Sequence, residues 1–434
     1  MKIIQLIRFI ICHTAFLLLI NVPCFSQSNT VEFYVNGLKV ILRQTQKETV
    51  AMGMYFRGGA SNYTAENAGI ESLALSAVTE CGTANYAPND FHDEVDEYGL
   101  HLSADAEQDY GRVKLTCISA YFNEAWALFS AAITSPSFDP ERFGLLKEKM
   151  INDLNIEQSV PDNRLERLAR ETAFAGTPYA LNPDGTAAVL QSLSRDAVKN
   201  YYYNTLFNKK RMFLVVAGNI TRQNLEQKVQ AAFASIPEKP YEPATIENKL
   251  FEQESYKIEA SPLATNYVAG ILNAPSPADN DYPAFRLATS LLNSGMFQVI
   301  RVEKHLSYAP SASLSEGKIS YVKMYASTSD PKEAVKIMRN LLGYVKNYKN
   351  NATLVQDLKR GRWLTYIKGQ EVMADIVDNL GNAEVLGDWR LAENLTTRMI
   401  TVTPEDMNTV YKKYARHIKW AYIGNADAGE KTFK

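Results

Sequence analysis

SLSRDAVKNYYYNTLFNKKRMFLVVAGN, residues 192–219, decides the fold, because a similar stretch, TVTPEDMNTVYKKYARHIKWAYIGN, returns at residues 401–425. Both are predicted to be a capped helix followed by a short apolar strand that ends in Gly-Asn. A second pair agrees, since FNEAWALFSAA (122–132) matches PKEAVKIMRNL (331–341) at nearly the same offset, about 210 residues. The chain therefore contains a tandem repeat of about 200 residues, which is the size of a domain.

The two halves are joined by a segment that is typical of a linker. IPEKPYEPATIENK (236–249) carries three prolines, which disfavour helices and sheet interiors. We therefore expect an N-terminal domain over 28–236, a linker over 237–249 and a C-terminal domain over 250–428. Strands and helices interleave in each half without a clear parallel βαβ rhythm. This predicts an α+β fold of two tandem homologous domains, each a mainly antiparallel or mixed sheet backed by helices.

Local patterns in the first half predict several of these elements. VEFYVNGLKVILRQ (31–44) is predicted to be two strands around an Asn-Gly turn. GIESLALSAVTECGT (69–83) is predicted to be a helix of small and apolar residues closed by Gly-Thr. PNDFHDEVDEYG (88–99) is predicted to be a second helix, which Gly99 stops. RVKLTCIS (112–119) alternates apolar and polar residues, as a half-buried strand does.

The N-terminus, 1–26, is typical of an export signal. A short cationic start precedes an apolar run over 9–20, and CFS (24–26) supplies small residues before a cleavage site. A retained membrane anchor is disfavoured because the run is shorter than the ~20 residues that span a bilayer. A lipid on Cys24 is disfavoured by the proline directly before that residue. We expect a chain exported to the periplasm that has no membrane span after signal removal.

The composition excludes some classes of function. The chain has 434 residues, 46% of them apolar, and a formal net charge of −2. No Lys/Arg run is long enough to follow a phosphate backbone, so nucleic acid is not an expected partner. No Ser-His-Asp order, Walker loop or dinucleotide fingerprint stands out. Cys81 and Cys117 would meet an oxidising compartment after export, and the sequence leaves open both a disulfide and two buried free thiols.

Four stretches in a fixed order carry a family resemblance. They are RGGASNYTAENAGIESLALSAVTECGT (57–83), SPSFDPERF (135–143), GTPYALNPDGT (176–186) and FLVVAGNI (213–220). Together with the duplication they resemble the insulinase/pitrilysin-like zinc peptidases, the inverzincins of peptidase family M16. The likeness is strongest to the short two-chain type, of which the mitochondrial processing peptidase is one. It implies two domains of the insulinase-like type.

The resemblance implies a zinc motif that this chain lacks. In the family the opening helix carries His-x-x-Glu-His, whose histidines bind zinc and whose glutamate is the general base. Those positions are Ser72, Leu75 and Ser76 here, and no histidine occurs over 69–83. The position of the family's third ligand corresponds to Asp153, where a lone carboxylate is not expected to hold a metal without the imidazoles. We expect no metal, no cofactor and no catalytic residue in this chain.

The second half retains a pair of residues that the resemblance links to substrate binding. FQVIRVEKHLSYAPSA (297–312) resembles a family segment in which an arginine is followed seven residues later by a tyrosine, here Arg301 and Tyr308. In two-chain members one chain carries zinc and the other supplies this pair. A guanidinium can grip a peptide carbonyl or carboxylate, and a phenol can donate to an oxyanion. His305 replaces the usual glycine. The alternative is a helix-surface cation and a core-edge aromatic.

These observations predict a non-zinc-binding subunit of an exported insulinase-like peptidase. Its expected partner is a homologous zinc-bearing chain in a heterodimer, to which it supplies Arg301 and Tyr308 for binding a peptide substrate. Alone it is expected to have no activity. The alternative is a catalytically inactive subunit that binds peptides or builds an assembly. An active metallopeptidase with an unorthodox site is disfavoured because the ligand set is missing.

Overall fold

The structure is a computed structural model that describes residues 29–348 and 352–434. The predicted export signal over 1–26 lies outside the described residues. The strands of the first half are β1 (Thr30–Val35), β2 (Leu38–Gln44), β3 (Thr49–Arg57), β4 (His101–Ala106), β5 (Tyr110–Ile118) and β6 (Met212–Gly218). Its helices are α1 (Ile70–Glu80), α2 (Pro88–Glu97), α3 (Phe122–Thr134), α4 (Pro140–Ser159), α5 (Pro161–Phe174), α6 (Ala187–Ser192), α7 (Arg195–Tyr201) and α8 (Arg222–Phe233).

The second half repeats this plan after residues 237–249, which form neither helix nor strand. Its strands are β7 (Ser255–Ala260), β8 (Asn266–Asn273), β9 (Ser311–Ser315), β10 (Tyr321–Thr328) and β11 (Lys419–Gly424). Its helices are α9 (Tyr282–Met296), α10 (Pro331–Lys346), α11 (Ala352–Gly369), α12 (Met373–Val385), α13 (Arg390–Met399), α14 (Pro404–Tyr414) and α15 (Ala426–Phe433). Among the described residues, no helix combines the length and apolar character that crossing a bilayer requires.

Each half builds its own mainly antiparallel sheet, as the sequence predicts. Within the described chain the first sheet has the strand order β1-β2-β6-β3-β5-β4, and only β2 and β6 run parallel. The second has the order β7-β11-β8-β10-β9, and among its described strands only β7 and β11 run parallel. The predicted Asn-Gly turn joins β1 to β2, with Asn36 and Gly37 at φ 49° and 82°, as a two-residue hairpin turn requires. The α+β prediction is confirmed.

One face of the first sheet packs on the helices of its own half. Apolar side chains of β3 and β5, such as Met52 and Leu115, are buried with Leu73 and Val78 of α1. Burying one such side chain contributes about 1.5–3 kcal/mol. Cys81 and Cys117 are both buried in this half as free thiols. The two free thiols, and not the disulfide, are therefore what the structure contains.

The opposite face of each sheet is covered by a helix from the other half. Helix α12 of the second half packs on β3 and β6, where Tyr55, Phe213 and Val377 are buried together. Helix α5 of the first half packs on β8 and β11 in the same way. Arg112 of β5 is buried as a result and donates to Asp378 of α12 with 2.9 Å between Nη1 and Oδ1. At Arg112 the polar face predicted for β5 thus meets protein rather than water.

A buried carboxylate ties the β4–β5 turn to the β9–β10 turn. Asp109 accepts hydrogen bonds on Oδ2 from the Tyr179 hydroxyl and from the Lys318 backbone N–H, the latter at 2.8 Å. The Ile319 N–H donates in turn to the Tyr179 Oη at 3.0 Å. Gly317 is needed beside them, since a Cβ there would lie 2.7 Å from the Tyr179 Oη and 2.9 Å from Asp109 Oδ2. The two halves are therefore joined by packing and by buried hydrogen bonds.

Candidate functional site

Helix α1 holds the positions that correspond to the family's zinc motif, and it buries two of them. Ser72 is 4% exposed, Leu75 is fully buried and Ser76 is half-buried. The Ser72 hydroxyl donates to Asp184 with 2.6 Å between Oγ and Oδ1. Asp184 belongs to GTPYALNPDGT, one of the stretches that carry the family resemblance. The resemblance did not predict that Asp184 would accept a hydrogen bond from Ser72. A serine–aspartate hydrogen bond therefore occupies the first ligand position.

A fully buried carboxyl group, Glu71, lies beside these positions. Asn62 and Tyr201 both donate to Oε2 of Glu71, from Nδ2 at 2.8 Å and from Oη at 2.6 Å. Its Oε1 is buried, and no described group donates to it. Burial raises the pKa of Glu71 to about 7. Sequence reasoning missed this residue, although an acidic side chain inside a helix of apolar and small residues is a signal for it.

The remaining acidic candidates stand on α4. Asp153 is exposed, and so is most of Glu157. Partial desolvation of the Glu157 carboxyl group, followed by the negative charges of Asp184 and Asp153, raises its pKa. Over residues 29–348 and 352–434, no group of three or more His, Cys, Asp or Glu side chains is arranged to hold a metal ion. Zinc in proteins takes thiolate, imidazole and carboxylate ligands, in most sites four of them. Two serine hydroxyls, a leucine and an exposed aspartate do not fit it.

The segment that carries Arg301 extends α9 and then turns sharply. Phe297–Glu303 continues α9 as a π-helical segment, and Leu306 N–H donates to Ile300 C=O at 2.9 Å to close it. His305, at the turn, has φ 53°. This left-handed conformation explains why glycine is usual there in the family, and histidine is among the residues that tolerate it. The replacement therefore keeps the turn.

The turn brings Arg301 and Tyr308 into contact. The Arg301 Cζ lies 4.3 Å from the centroid of the Tyr308 ring and 5.1 Å from that of Phe297. Tyr308 is 80% exposed, so it is not a core-edge aromatic. A guanidinium over an aromatic face is held there electrostatically. No other group in the described part of the chain forms a hydrogen bond or ion pair with either side chain. The guanidinium N–H groups and the phenol hydroxyl are therefore available to a ligand.

A cavity of about 510 Å³ lies between the halves, apart from this pair. It is enclosed by the β4–β5 turn, the β9–β10 turn, the first turns of α9, and helices α11, α12 and α13. Arg286 and Arg362 line it, whereas Arg301 and Tyr308 do not. The sequence patterns did not point to these two arginines, because they come from helices that no motif connects.

Comparison with protein families places both halves in one family. Residues 39–185 match the insulinase family, peptidase family M16, and residues 192–361 match the peptidase M16 inactive domain. Cytochrome b-c1 complex subunit 1 of Rattus norvegicus is 26% identical over 270 residues, which are 59% of this chain and 54% of that protein. This chain thus spans about half the length of that curated relative.

Two solved structures share the fold. A protease from Helicobacter pylori superposes with a TM-score of 0.85 at 15% identity, covering 92% of this chain and 99% of that chain. A peptidase M16 inactive domain from Pseudomonas fluorescens superposes with a TM-score of 0.82 at 17% identity, covering 92% and 98%. At these identities the likeness shows the fold alone.

Proposed function

Because the chain belongs to the insulinase-like peptidase family M16 and lacks its zinc motif, we propose that it is a non-catalytic, peptide-binding subunit. In this proposal it is exported and forms a heterodimer with a homologous chain that carries His-x-x-Glu-His and zinc. Arg301 and Tyr308 bind the substrate peptide, and the partner cleaves it. The export step is supported by the pattern of residues 1–26.

The exposed stack of Arg301 on Tyr308 carries this proposal. In the described part of the chain, neither side chain forms a hydrogen bond or an ion pair, which leaves several donors free in water. A peptide carbonyl, carboxylate or oxyanion is the group such donors suit. The exposed ring of Phe297, 5.1 Å from the guanidinium, adds an apolar surface beside them. Helix α1, by contrast, presents a serine–aspartate hydrogen bond where a metal would be needed.

A second function is favoured by the match to an inactive domain and by the relative in the cytochrome b-c1 complex. In this alternative the chain is a structural or peptide-binding part of an assembly, without turnover in any partner's presence. The two functions differ in one observable. Only the first makes peptide cleavage by the assembly depend on Arg301 and Tyr308.

The experiment begins with isolation of the full chain from its own cells and identification of any copurifying chain with the zinc motif. Peptide hydrolysis is then measured for the purified complex and for each chain alone, with zinc determined by metal analysis. We expect activity and stoichiometric zinc only when the partner is present. Arg301→Ala and Tyr308→Phe are expected to lower kcat/KM of the complex by about tenfold to a thousandfold, as loss of an oxyanion donor does.

Matched variants control for changes in surface charge and hydroxyl content. Lys304→Ala removes an exposed cation three residues from Arg301, and Tyr344→Phe removes an exposed phenol elsewhere in the same half. Both complexes are expected to keep full activity. A complex that cleaves peptides normally without Arg301 and Tyr308 would refute the proposed role of the pair. A stable complex with no turnover would favour the assembly function.

A further inference from the structure

The cavity between the halves has the size of a small-molecule site. Its volume of about 510 Å³ falls within the ~300–1,000 Å³ of typical ligand pockets. Pro277, Leu395 and Met399 supply an apolar lining, and Arg286 and Arg362 supply positive charge. A pocket that combines apolar walls with a few convergent polar groups is the usual architecture of a binding site.

Arg362 reaches this cavity without an acidic partner. Its Nε and Nη2 donate to the Ser290 hydroxyl at 3.0 and 2.7 Å, and no carboxylate in the described chain forms an ion pair with it. Ser290 donates its own proton to the Arg286 carbonyl at 3.0 Å, so it can only accept from Arg362. Burial and then the charge of Arg286 lower the pKa of the Arg362 guanidinium. An unneutralised, partly buried cation is a group that an anion would stabilise.

Arg286 has an acidic partner, but not all of its donors are used. It contacts Glu316 and the Tyr282 hydroxyl through Nη1, while its Nε is buried and lacks any partner in residues 29–348 and 352–434. Buried donors in native proteins nearly always bond to protein, water or a ligand. Burial raises the pKa of Tyr282, while the positive charges of Arg286, Arg362 and a third arginine, Arg398, act to lower it. Arg398 therefore lies close to the other two guanidinium groups.

None of the acidic residues that line the cavity forms an ion pair with Arg362 in the described chain. Glu316 contacts Arg286 and Tyr282, Asp109 accepts from Tyr179 and Lys318, and Glu393 pairs with Arg43 at 2.8 Å. A fourth acid, Glu107, comes from the β4–β5 turn, and burial raises its pKa. On the wall formed by α9 and α11, Arg362 is thus the guanidinium that lacks an acidic partner among residues 29–348 and 352–434.

We propose that this cavity binds a small oxyanion-bearing ligand, a carboxylate or a phosphate, through Arg286 and Arg362. The inference goes beyond the proposed function and does not rest on it, because α9 separates Arg286 from Arg301 by roughly 20 Å at 1.5 Å per residue. A guanidinium binds either group in two-point geometry. The apolar lining favours a ligand with a short apolar body, such as a peptide ending in a free carboxylate.

Calorimetric titration of the full chain tests this site with three probes: N-acetyl-trialanine, its C-terminal amide and inorganic phosphate. If a carboxylate is the ligand, the acid peptide binds at least tenfold more tightly than the amide. If phosphate is the ligand, phosphate binds and both peptides do not. In either case Arg362→Gln is expected to weaken binding by about ten- to a hundredfold, and Arg362→Lys by less.

Arg360→Gln is the matched control, since Arg360 lies on the same helix, is 79% exposed and pairs with Asp357. It is expected to bind like the wild type. If an Arg362 variant fails to fold, the affinities of the acid peptide and the amide peptide for the wild-type chain still test whether a carboxylate is bound. Three results would overturn the proposal. The acid and amide peptides could bind equally while phosphate does not bind, or none of the three probes could bind. A folded Arg362→Gln variant could also bind as tightly as the wild type.

Discussion

Glu71 shows how one residue can make the stability of this fold depend on pH. Its folded pKa of about 7 lies above the ~4.3 of glutamate in an unfolded chain. Between these values the folded state holds a proton that the unfolded state has released. The free energy of unfolding therefore falls as pH rises from about 4.3 to about 7, by about 1.4 kcal/mol per pH unit. Below this window the group has no such effect, and above it the full loss is present.

Glu71→Gln is predicted to remove this decline. The amide oxygen can accept from both Asn62 and Tyr201, and the side chain stays neutral at every pH. Urea unfolding at pH 5.5 and pH 8 measures the free energy of unfolding of both proteins. Between these two pH values, the free energy of unfolding of the wild type should fall by about 2 kcal/mol relative to that of the variant. Glu97→Gln, an exposed carboxylate on α2, should follow the wild-type curve. Parallel curves for wild type and Glu71→Gln would show that Glu71 does not titrate in this range.

At the scale of single residues, the sequence predicted which residues occupy the candidate positions better than it predicted what surrounds them. Ser72 and Ser76 lie on the helix that the sequence predicted. Arg301 and Tyr308, which the family resemblance singled out, contact each other, although the sequence did not predict this contact. The hydrogen bond from Ser72 to Asp184 spans 112 residues of chain. No local pattern encodes such a contact. The burial of Glu71 escaped prediction for the same reason, since its partners Asn62 and Tyr201 come from separate segments.

Among the elements, α12 depends on one close approach to the first sheet. Gly381 packs on Tyr55 of β3, and a Cβ there would lie 2.1 Å from the Tyr55 ring carbon Cζ. Tyr55 is fully buried, and its hydroxyl donates to the Val377 carbonyl at 3.2 Å. The ring therefore has no room to yield, and a methyl group would push the helix from the sheet.

Gly381→Ala is predicted to destabilise the protein by about 1–3 kcal/mol or more, as overpacking of a core does. Gly361→Ala on α11 is the matched control, because a Cβ there meets nothing within 4 Å. It should be neutral or stabilising by about 0.5–1 kcal/mol. Chemical denaturation of both variants measures the difference. Equal stabilities would mean that α12 does not pack tightly on Tyr55.

The sequence predicted several elements and the repeat, but not which helix covers which sheet. Alternation in β5 correctly separated its apolar residues from its polar ones. It did not show that the polar side meets Asp378 of α12, because amphipathic patterns reveal that a face is buried without naming its cover. Helices α5 and α12 are exchanged, in the sense that each packs on the sheet of the other half. This arrangement depends on how well a helix surface fits a sheet that is distant in sequence, so the sequence of either helix alone does not reveal it.

At the scale of the whole molecule, the exchanged helices make each half incomplete alone. Without α12 the first sheet would expose four large side chains on one face, Ile41, Tyr55, Phe213 and Val215. Their exposure would cost about 6–12 kcal/mol at 1.5–3 kcal/mol each. This is comparable to the entire stability of a typical domain. The contacts of Asp109 with Lys318 and of Tyr179 with Ile319 would be lost as well.

Separate halves are therefore predicted not to fold, while a cut between them is tolerated. Cutting between Glu242 and Pro243 falls in the segment 237–249, which has no helix or strand. Each fragment expressed alone should give no cooperative urea transition by circular dichroism. Coexpressed fragments should elute together in size-exclusion chromatography and unfold in one transition, because association restores both covered faces. A fragment that unfolds cooperatively by itself, with stability near that of the intact chain, would show that the exchanged helices are dispensable.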